Sequence, residues 1–100
     1  MQPRNMSWVV AGKRYRTDAA TLIAHDEYWN GHTWEQDGRN TFLFRTPEGN
    51  FFAQHQTLLP GETDKIVPLE ISESISLYQS LHEKEVPFAV AFPDVKVEDA

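Results

Sequence analysis

The chain has no cysteine, which excludes disulfide bonds, thiolate metal sites and cysteine nucleophiles. Long apolar runs are also missing: stretches such as residues 8–12 and 88–92 are far shorter than the ~20 residues of a membrane-spanning helix. Basic residues are few, because nine Lys and Arg face fifteen Asp and Glu and give a net charge of −6. That sign argues against a general nucleic-acid binder. The sequence therefore predicts no membrane span and no direct contact with nucleic acid.

What is present suits one small globular domain. The 100 residues are 40% hydrophobic and 24% charged, as in an ordinary folded domain. Six Phe, three Trp and three Tyr supply most of the core, since each large ring buries about 150–250 Å². We expect a flexible N-terminus over residues 1–6, a single α+β domain over 7–93 and an acidic flexible tail over 94–100. The polar N-terminus has no secretory pattern, so the expected location is cytoplasmic.

The expected fold class is α+β, with a small antiparallel β-sheet, a meander of about three to five strands, packed by a short N-terminal helix and a C-terminal helix. Residues 8–15 predict a β-hairpin that turns near Gly12, because glycine permits the positive φ of a tight turn. Residues 41–56 predict a second hairpin. Its turn chemistry comes from Pro47, which presets φ, and from Gly49.

Further strands are expected on either side of this second hairpin. Aromatic and turn residues over 27–34 predict one strand, ending in a loop around 37–40. Residues 66–69 predict a short edge strand, because Pro68 has no N–H for a central ladder. The segment 88–92 is compatible with either a strand or one helical turn.

Two helices are predicted from apolar spacing and capping residues. The first covers residues 19–24, with Thr17 or Asp18 as its N-cap. The second covers residues 72–81, with Ser72 as its N-cap. The first is about two turns long, too short to be stable by itself, so it is expected to lie against the sheet.

Three segments carry a resemblance to known proteins. Residues 12–24 read Gly-Lys-Arg-Tyr-Arg-Thr-Asp-Ala-Ala-Thr-Leu-Ile-Ala, residues 43–52 contain Leu-Phe-Arg-Thr, Gly49 and Phe-Phe, and residues 66–69 read Ile-Val-Pro-Leu. They resemble a group of small, mostly uncharacterised bacterial and mobile-element proteins with the pattern Gly-Lys-x-Tyr-x-Thr-acid-x-Ala-x-x-Ile-Ala, an aromatic hairpin, and Ile-x-Pro-Leu before a final helix. The resemblance covers roughly residues 12–82.

The resemblance implies a β-sheet with packed helices and no reaction. Phages encode small acidic proteins of this kind, and some of those act as anti-CRISPR or other anti-defence inhibitors. The sequence departs from the group at Ser74 and Ile75, where the group has Glu-Ala in the final helix.

Motifs of catalysis are missing, so the chain is predicted to be non-enzymatic, with no catalytic residue and no cofactor. No serine lies in a Gly-x-Ser-x-Gly elbow, and no glycine spacing fits a phosphate-binding loop. A small metal- or carboxylate-dependent enzyme is the alternative. Its candidate ligands are His25, Glu27 and His32, which a strand and a hairpin would bring together. Otherwise these residues form a solvated polar strand and loop.

Charge is uneven along the chain. Residues 1–45 carry six basic and five acidic side chains, whereas residues 46–100 carry three basic and ten acidic ones. The acidic half indicates attraction to a protein partner with a basic surface, and salt would weaken that attraction. Glu70 and Glu73 are the acidic candidates for this contact.

Tyr28, Trp29 and Trp34 surround a turn and are the aromatic candidates for binding. Tyr and Trp are common anchors at protein interfaces, and an exposed ring binds Arg or Lys by a cation–π contact. The main hypothesis is thus a protein-interaction module, in its most specific form an inhibitor that covers a basic surface of a host defence complex. A homodimer formed along the edge strand at 66–69 is a further alternative, so the chain is expected to be a monomer or a homodimer.

Overall fold

The computed structural model describes residues 3–26 and 39–99. The described strands and helices are β1 (Ser7–Val10), β2 (Lys13–Arg16), β3 (Thr21–His25), β4 (Arg39–Arg45), β5 (Phe51–Thr57), β6 (Lys65–Leu69), α1 (Ile71–Ser80), β7 (Glu83–Lys84) and α2 (Phe88–Ala91). The strand predicted over 27–34 lies outside the described residues. Among the described helices, none has the length and apolarity to cross a membrane.

The strands form two antiparallel sheets. The larger one has the order β6-β5-β4-β3-β7, and β1 pairs only with β2. The small antiparallel sheet predicted from the sequence is therefore confirmed, as are both hairpins and the edge position of β6. The ambiguous segment 88–92 forms a helical turn, α2, rather than a strand.

The helix predicted over residues 19–24 is wrong, because Thr21–His25 is strand β3. Leu22 packs in one buried cluster and Ile23 in another, as a two-residue strand period requires and a helix face does not allow. Pairing with β4 gives the backbone of this segment its hydrogen bonds. A two-turn helix cannot compete with that ladder.

Two other boundaries also differ from the prediction. Thr17 does not cap a helix; its hydroxyl donates to the Arg4 carbonyl at 2.9 Å and accepts from the Met6 amide at 2.9 Å. The expected loop at 37–40 is wrong for its last two residues, which begin β4. Gln54 also donates to the Arg4 carbonyl, at 2.7 Å. Arg4 and Met6 thus contact the folded part of the chain.

The five-stranded sheet is covered on both faces. The buried helix-side cluster consists of Ile23, Ala24, Leu43, Phe51, Tyr78, Leu81, Ala91 and Phe92. The buried hairpin-side cluster consists of Tyr15, Phe42, Phe44, Phe52 and Ile66. Because neighbouring residues of β4 and β5 alternate between these clusters, the central strands have no apolar face in water.

The turn of the first hairpin depends on left-handed backbone at two positions. Ala11 has φ of 52° and Gly12 has φ of 80°, the combination of a type I′ turn, whose twist matches that of the flanking strands. The hairpin is thereby held over the sheet, with Tyr15 facing inward and Lys13, Arg14 and Arg16 exposed. Basic side chains therefore lie on the outer layer of the hairpin side.

Candidate functional site

Glu70 and Glu73, the predicted acidic contacts, lie at the start of α1. Glu70 is the N-cap of the helix, which corrects the prediction of Ser72. One oxygen of Glu73, Oε1, accepts a hydrogen bond from the Glu70 amide at 2.9 Å, as in a capping box. Both side chains are exposed, so they stabilise the first turn and still face solvent.

An exposed apolar residue lies between these two carboxylates. Ile71 is 53% exposed and is one of six exposed large apolar side chains among the described residues. It borders a groove of about 380 Å³, lined by Gly49, Asn50, Phe51, Leu69, Glu70, Ile71 and Ser72. We call Glu70, Ile71, Glu73 and this groove the acidic surface. It combines negative charge with an apolar contact in one place.

The charges of the described chain are unevenly distributed along the sequence. Residues 70–99 carry seven acidic and two basic side chains, and Glu83 and Glu85 after α1 are also exposed. Residues 3–18 carry four basic side chains and only Asp18 as an acid, which pairs with Arg16 at 2.8 Å. The segment from α1 onward is therefore mainly negative, and the segment with the first hairpin is mainly positive.

The predicted metal ligands are only partly described. The His25 atom Nε2 lies 2.7 Å from Oε1 of Glu85, and the ring stacks on Phe42 with centroids 5.8 Å apart. Glu27 and His32 lie outside the described residues. Within residues 3–26 and 39–99, no three His, Asp or Glu side chains converge as a metal site would require. The structure thus places His25 in a contact with Glu85 across β3 and the end of β7.

The predicted aromatic anchors Tyr28, Trp29 and Trp34 also lie outside the described residues. A different indole is exposed: Trp8 on β1, at 39%, directly across the hairpin from Tyr15. The sequence had assigned Trp8 only to a strand. The exposure of Trp8 depends on how far the hairpin overlaps the sheet, and a local sequence pattern does not predict this overlap.

A polar pocket that the sequence analysis did not identify lies where β4 begins, β5 ends and β6 begins. It has a volume of about 520 Å³ and is lined by Arg39, Asn40, Thr41, His55, Gln56, Thr57, Glu62, Thr63 and Lys65. Thr41 pairs with His55 and His55 pairs with Lys65 in the strand register. Since cross-strand partners share a face, Thr41, His55 and Lys65 form one row across three neighbouring strands.

His55 is the central titratable group of the polar pocket. Its Nδ1 lies 3.2 Å from the Thr41 hydroxyl oxygen. Burial lowers the pKa of His55 below its usual 6.5, the nearby Lys65 ammonium lowers the pKa further, and Asp26 opposes this effect. The ring is therefore neutral at pH 7.

Two carboxylates, those of Asp26 and Glu62, form hydrogen bonds with residues of the polar pocket. Asp26 accepts a hydrogen bond from the Thr41 amide at 2.8 Å, and burial raises the pKa of this carboxyl above 3.8. Glu62 accepts from Arg39 at 3.1 Å and from the Thr57 hydroxyl at 2.7 Å. The hydrogen bond from Arg39 lowers the pKa of Glu62, which keeps it ionised.

The neutral state of His55 predicts a loss of stability in acid. The pKa of His55 in the folded chain lies below the unfolded value of 6.5. Between these two pKa values the unfolded chain binds more protons than the folded chain. The stability that neutral His55 provides is therefore complete above pH 6.5 and is lost as the pH falls through the folded pKa. The raised pKa of Asp26 has the opposite sign and acts nearer to 3.8. Urea unfolding should give a lower free energy of unfolding at pH 5.5 than at pH 7.5.

A His55→Asn variant should lose less stability than the wild type over this interval. The matched control is His82→Gln, which changes an exposed histidine outside the polar pocket and leaves His55 in place. Equal slopes for His55→Asn and the wild type would show that His55 is not the group responsible.

One weak signal of the polar pocket was present in the sequence. Thr41, His55 and Lys65 are polar residues on the face where Leu43, Ala53 and Val67 are apolar. Their convergence depends on the register of two strand pairs, which the sequence does not specify by itself.

Comparisons of the chain with protein-family models, with curated proteins and with solved structures each returned no match.

Proposed function

We propose that this chain is a non-enzymatic protein-interaction module that binds a basic protein surface through its acidic surface. The observation that carries the proposal is the pairing of exposed Glu70 and Glu73 with the exposed Ile71 beside a groove. Interfaces combine an apolar contact, which supplies affinity, with a charged rim, which selects the partner and speeds association. A basic segment with one apolar side chain fits this surface.

The charge separation supports the same reading. The negative side chains of residues 70–99 attract a basic partner toward the segment from α1 onward, and the exposed Lys13 and Arg14 repel it from the first hairpin. Such steering acts over about 10 Å at 0.1 M salt and weakens as salt rises. A partner should therefore bind more weakly at high salt.

The more specific form of the proposal is inhibition of a host defence complex of the CRISPR type. Carboxylates on a protein surface compete with nucleic-acid phosphates for the same Lys and Arg side chains. What supports this form is the acidic segment 70–99 together with the resemblance of residues 12–82 to mobile-element proteins. Displacement of guide or target nucleic acid from the captured complex is its direct test.

The homodimer alternative through β6 has less support. β6 is an edge strand, and its Pro68 stands opposite Phe52 in the ladder. Proline has no N–H to donate to a second copy, so it weakens the edge as a template for pairing. The metal-enzyme alternative has no specific observation in its favour among the described residues.

Neutralising the acidic surface should weaken partner binding. A Glu70→Gln/Glu73→Gln variant keeps the hydrogen-bond acceptors of the helix cap, because glutamine serves at the N3 position of a capping box, but removes two charges. With a partner captured from host lysate and then purified, we expect its Kd to rise about tenfold or more, as for the loss of charge-assisted contacts. Calorimetry at 50 and 300 mM salt measures the Kd and its dependence on salt.

The matched control is Glu98→Gln/Asp99→Asn, which removes the same charge from exposed residues of the chain end. It should change the Kd by less than a factor of about three, as expected for distant screened charges. Equal effects of the two variants, or the absence of any partner that salt releases, would overturn the proposal. Trp29→Ala and Trp34→Ala form a separate arm that tests the sequence-based aromatic anchors.

A further inference from the structure

We propose that the polar pocket binds a small oxyanion group, a phosphate or a carboxylate, between His55 and Lys65. The two residues are directly paired across β5 and β6, and both line the 520 Å³ cavity together with Thr41, Thr57 and Thr63. The cavity volume lies in the range of small-ligand pockets, and a lining without apolar side chains suits a charged group rather than an apolar one. This inference is independent of the proposed protein contact.

The local charges favour an anion beside Lys65. The two carboxylates nearest to it in sequence are both engaged: Glu62 with Arg39 and Thr57, and Asp64 with Arg4 and the Thr57 amide. Among the described residues, no carboxylate lies within 4.0 Å of the Lys65 ammonium. Lys65 acts on Glu62 only at longer range, so a bound oxyanion would make the direct contact with the ammonium.

His55 can supply a second donor. If the Thr41 hydroxyl donates to Nδ1, the ring proton is on Nε2. Nε2 has no hydrogen bond from a described residue, so it is available to an oxygen of the ligand. Burial and the neighbouring Lys65 lower the pKa of His55, and a bound anion would raise it again by favouring the protonated ring.

The site is well separated from the acidic surface. Lys65 begins β6 and Glu70 follows its last residue, so the two lie about 16 Å apart at the rise of an extended strand. The charged groups around His55 are Lys65, Asp26, Glu62 and Arg39. None of them belongs to the acidic surface, so the two proposals fail independently.

The test follows the pKa of His55 by NMR, with its resonance assigned by its loss in a His55→Asn variant. Sodium sulfate represents a phosphate group at fixed charge, sodium acetate represents a carboxylate, and sodium chloride at equal ionic strength is the reference. We expect a saturable rise of the His55 pKa in sulfate, in acetate or in both, relative to chloride. The stronger of the two anions identifies the preferred group.

The matched variants are Lys65→Gln and Lys96→Gln, both at exposed lysines. Lys65→Gln should weaken anion binding about tenfold or more, as the loss of a charge-assisted hydrogen bond implies, whereas Lys96→Gln should bind as the wild type does. The proposal is overturned if neither anion raises the His55 pKa above its value in chloride, or if both variants respond alike. Because the wild-type arm needs no substitution, the outcome does not depend on how Lys65→Gln folds.

Discussion

A Phe52→Ala variant is expected to lose about 3–5 kcal/mol of unfolding free energy, the usual cost of removing a buried aromatic ring. Phe52 is 0% exposed. Its ring stacks on Phe44 with centroids 5.1 Å apart and meets Tyr15 edge-on at 5.6 Å. Since a domain of this size is stable by only about 5–15 kcal/mol, the loss is a large part of the total. Urea unfolding followed by circular dichroism at 25 °C measures it.

The loss has two parts at this position. Alanine removes the apolar surface that the ring buries and leaves a cavity between the sheet and the β1–β2 hairpin, where Tyr15 is held. The hairpin pairs with no other strand of the described chain, so its ring contacts hold it to the sheet. We therefore expect Trp8 to be more exposed in the variant, which a red shift of tryptophan fluorescence would report.

The control for Phe52→Ala is Val9→Ala. Val9 is on the outer side of the same hairpin and is 63% exposed, so its truncation should change the unfolding free energy by no more than about 0.5 kcal/mol. If Phe52→Ala cost less than about 1 kcal/mol, a fraction of the usual penalty, the hairpin-side cluster would not be a stabilising core.

The central hairpin was predictable because its pattern is local. Alternation places Phe42 and Phe44 on one face of β4 and Leu43 on the other, and the two buried clusters confirm this division. The turn between the arms was equally clear, since Gly49 has φ of 88°, which glycine adopts readily. Strand period and turn chemistry act within a few residues and do not depend on the rest of the chain.

The segment that became β3 was not predictable in this way. Ala19 and Ala20 favour a helix, whereas Thr21 and Ile23 favour a strand, so local propensity gives no clear answer. Pairing with β4 on one side and with β7 on the other decides the outcome. Tertiary pairing of this kind overrides weak propensity. Because the hydrogen-bond partners are distant in sequence, the local pattern does not predict the strand.

The candidate sites differ in the same respect. Glu70 and Glu73 were identified from charge alone, and the structure adds only that Ile71 is exposed between them. The polar pocket needed the register of β4, β5 and β6, because His55 meets Thr41 and Lys65 only through cross-strand pairing. Composition reports surface charge well, whereas cavities depend on long-range register.

A Phe92→Ala variant is the second substitution expected to have a large effect. Phe92 follows α2, is 2% exposed, and lies against Phe51 with ring centroids 4.9 Å apart and against Tyr78 at 5.6 Å. It thus joins α2, α1 and strand β5 in one aromatic contact. We expect a loss of about 3–5 kcal/mol, as for other buried Phe→Ala changes, together with loss of the near-ultraviolet signal of these rings.

The matched control is Val90→Ala, in the same helical turn but 59% exposed, which should cost no more than about 0.5 kcal/mol. If the two variants were equally stable, α2 would not be held to the sheet by its aromatic residue. The comparison also bears on the proposed interaction, because Glu70 and Ile71 begin α1, and Tyr78 of the same helix rests on Phe92. Phe92→Ala should therefore weaken partner binding as well, whereas Val90→Ala should leave it unchanged.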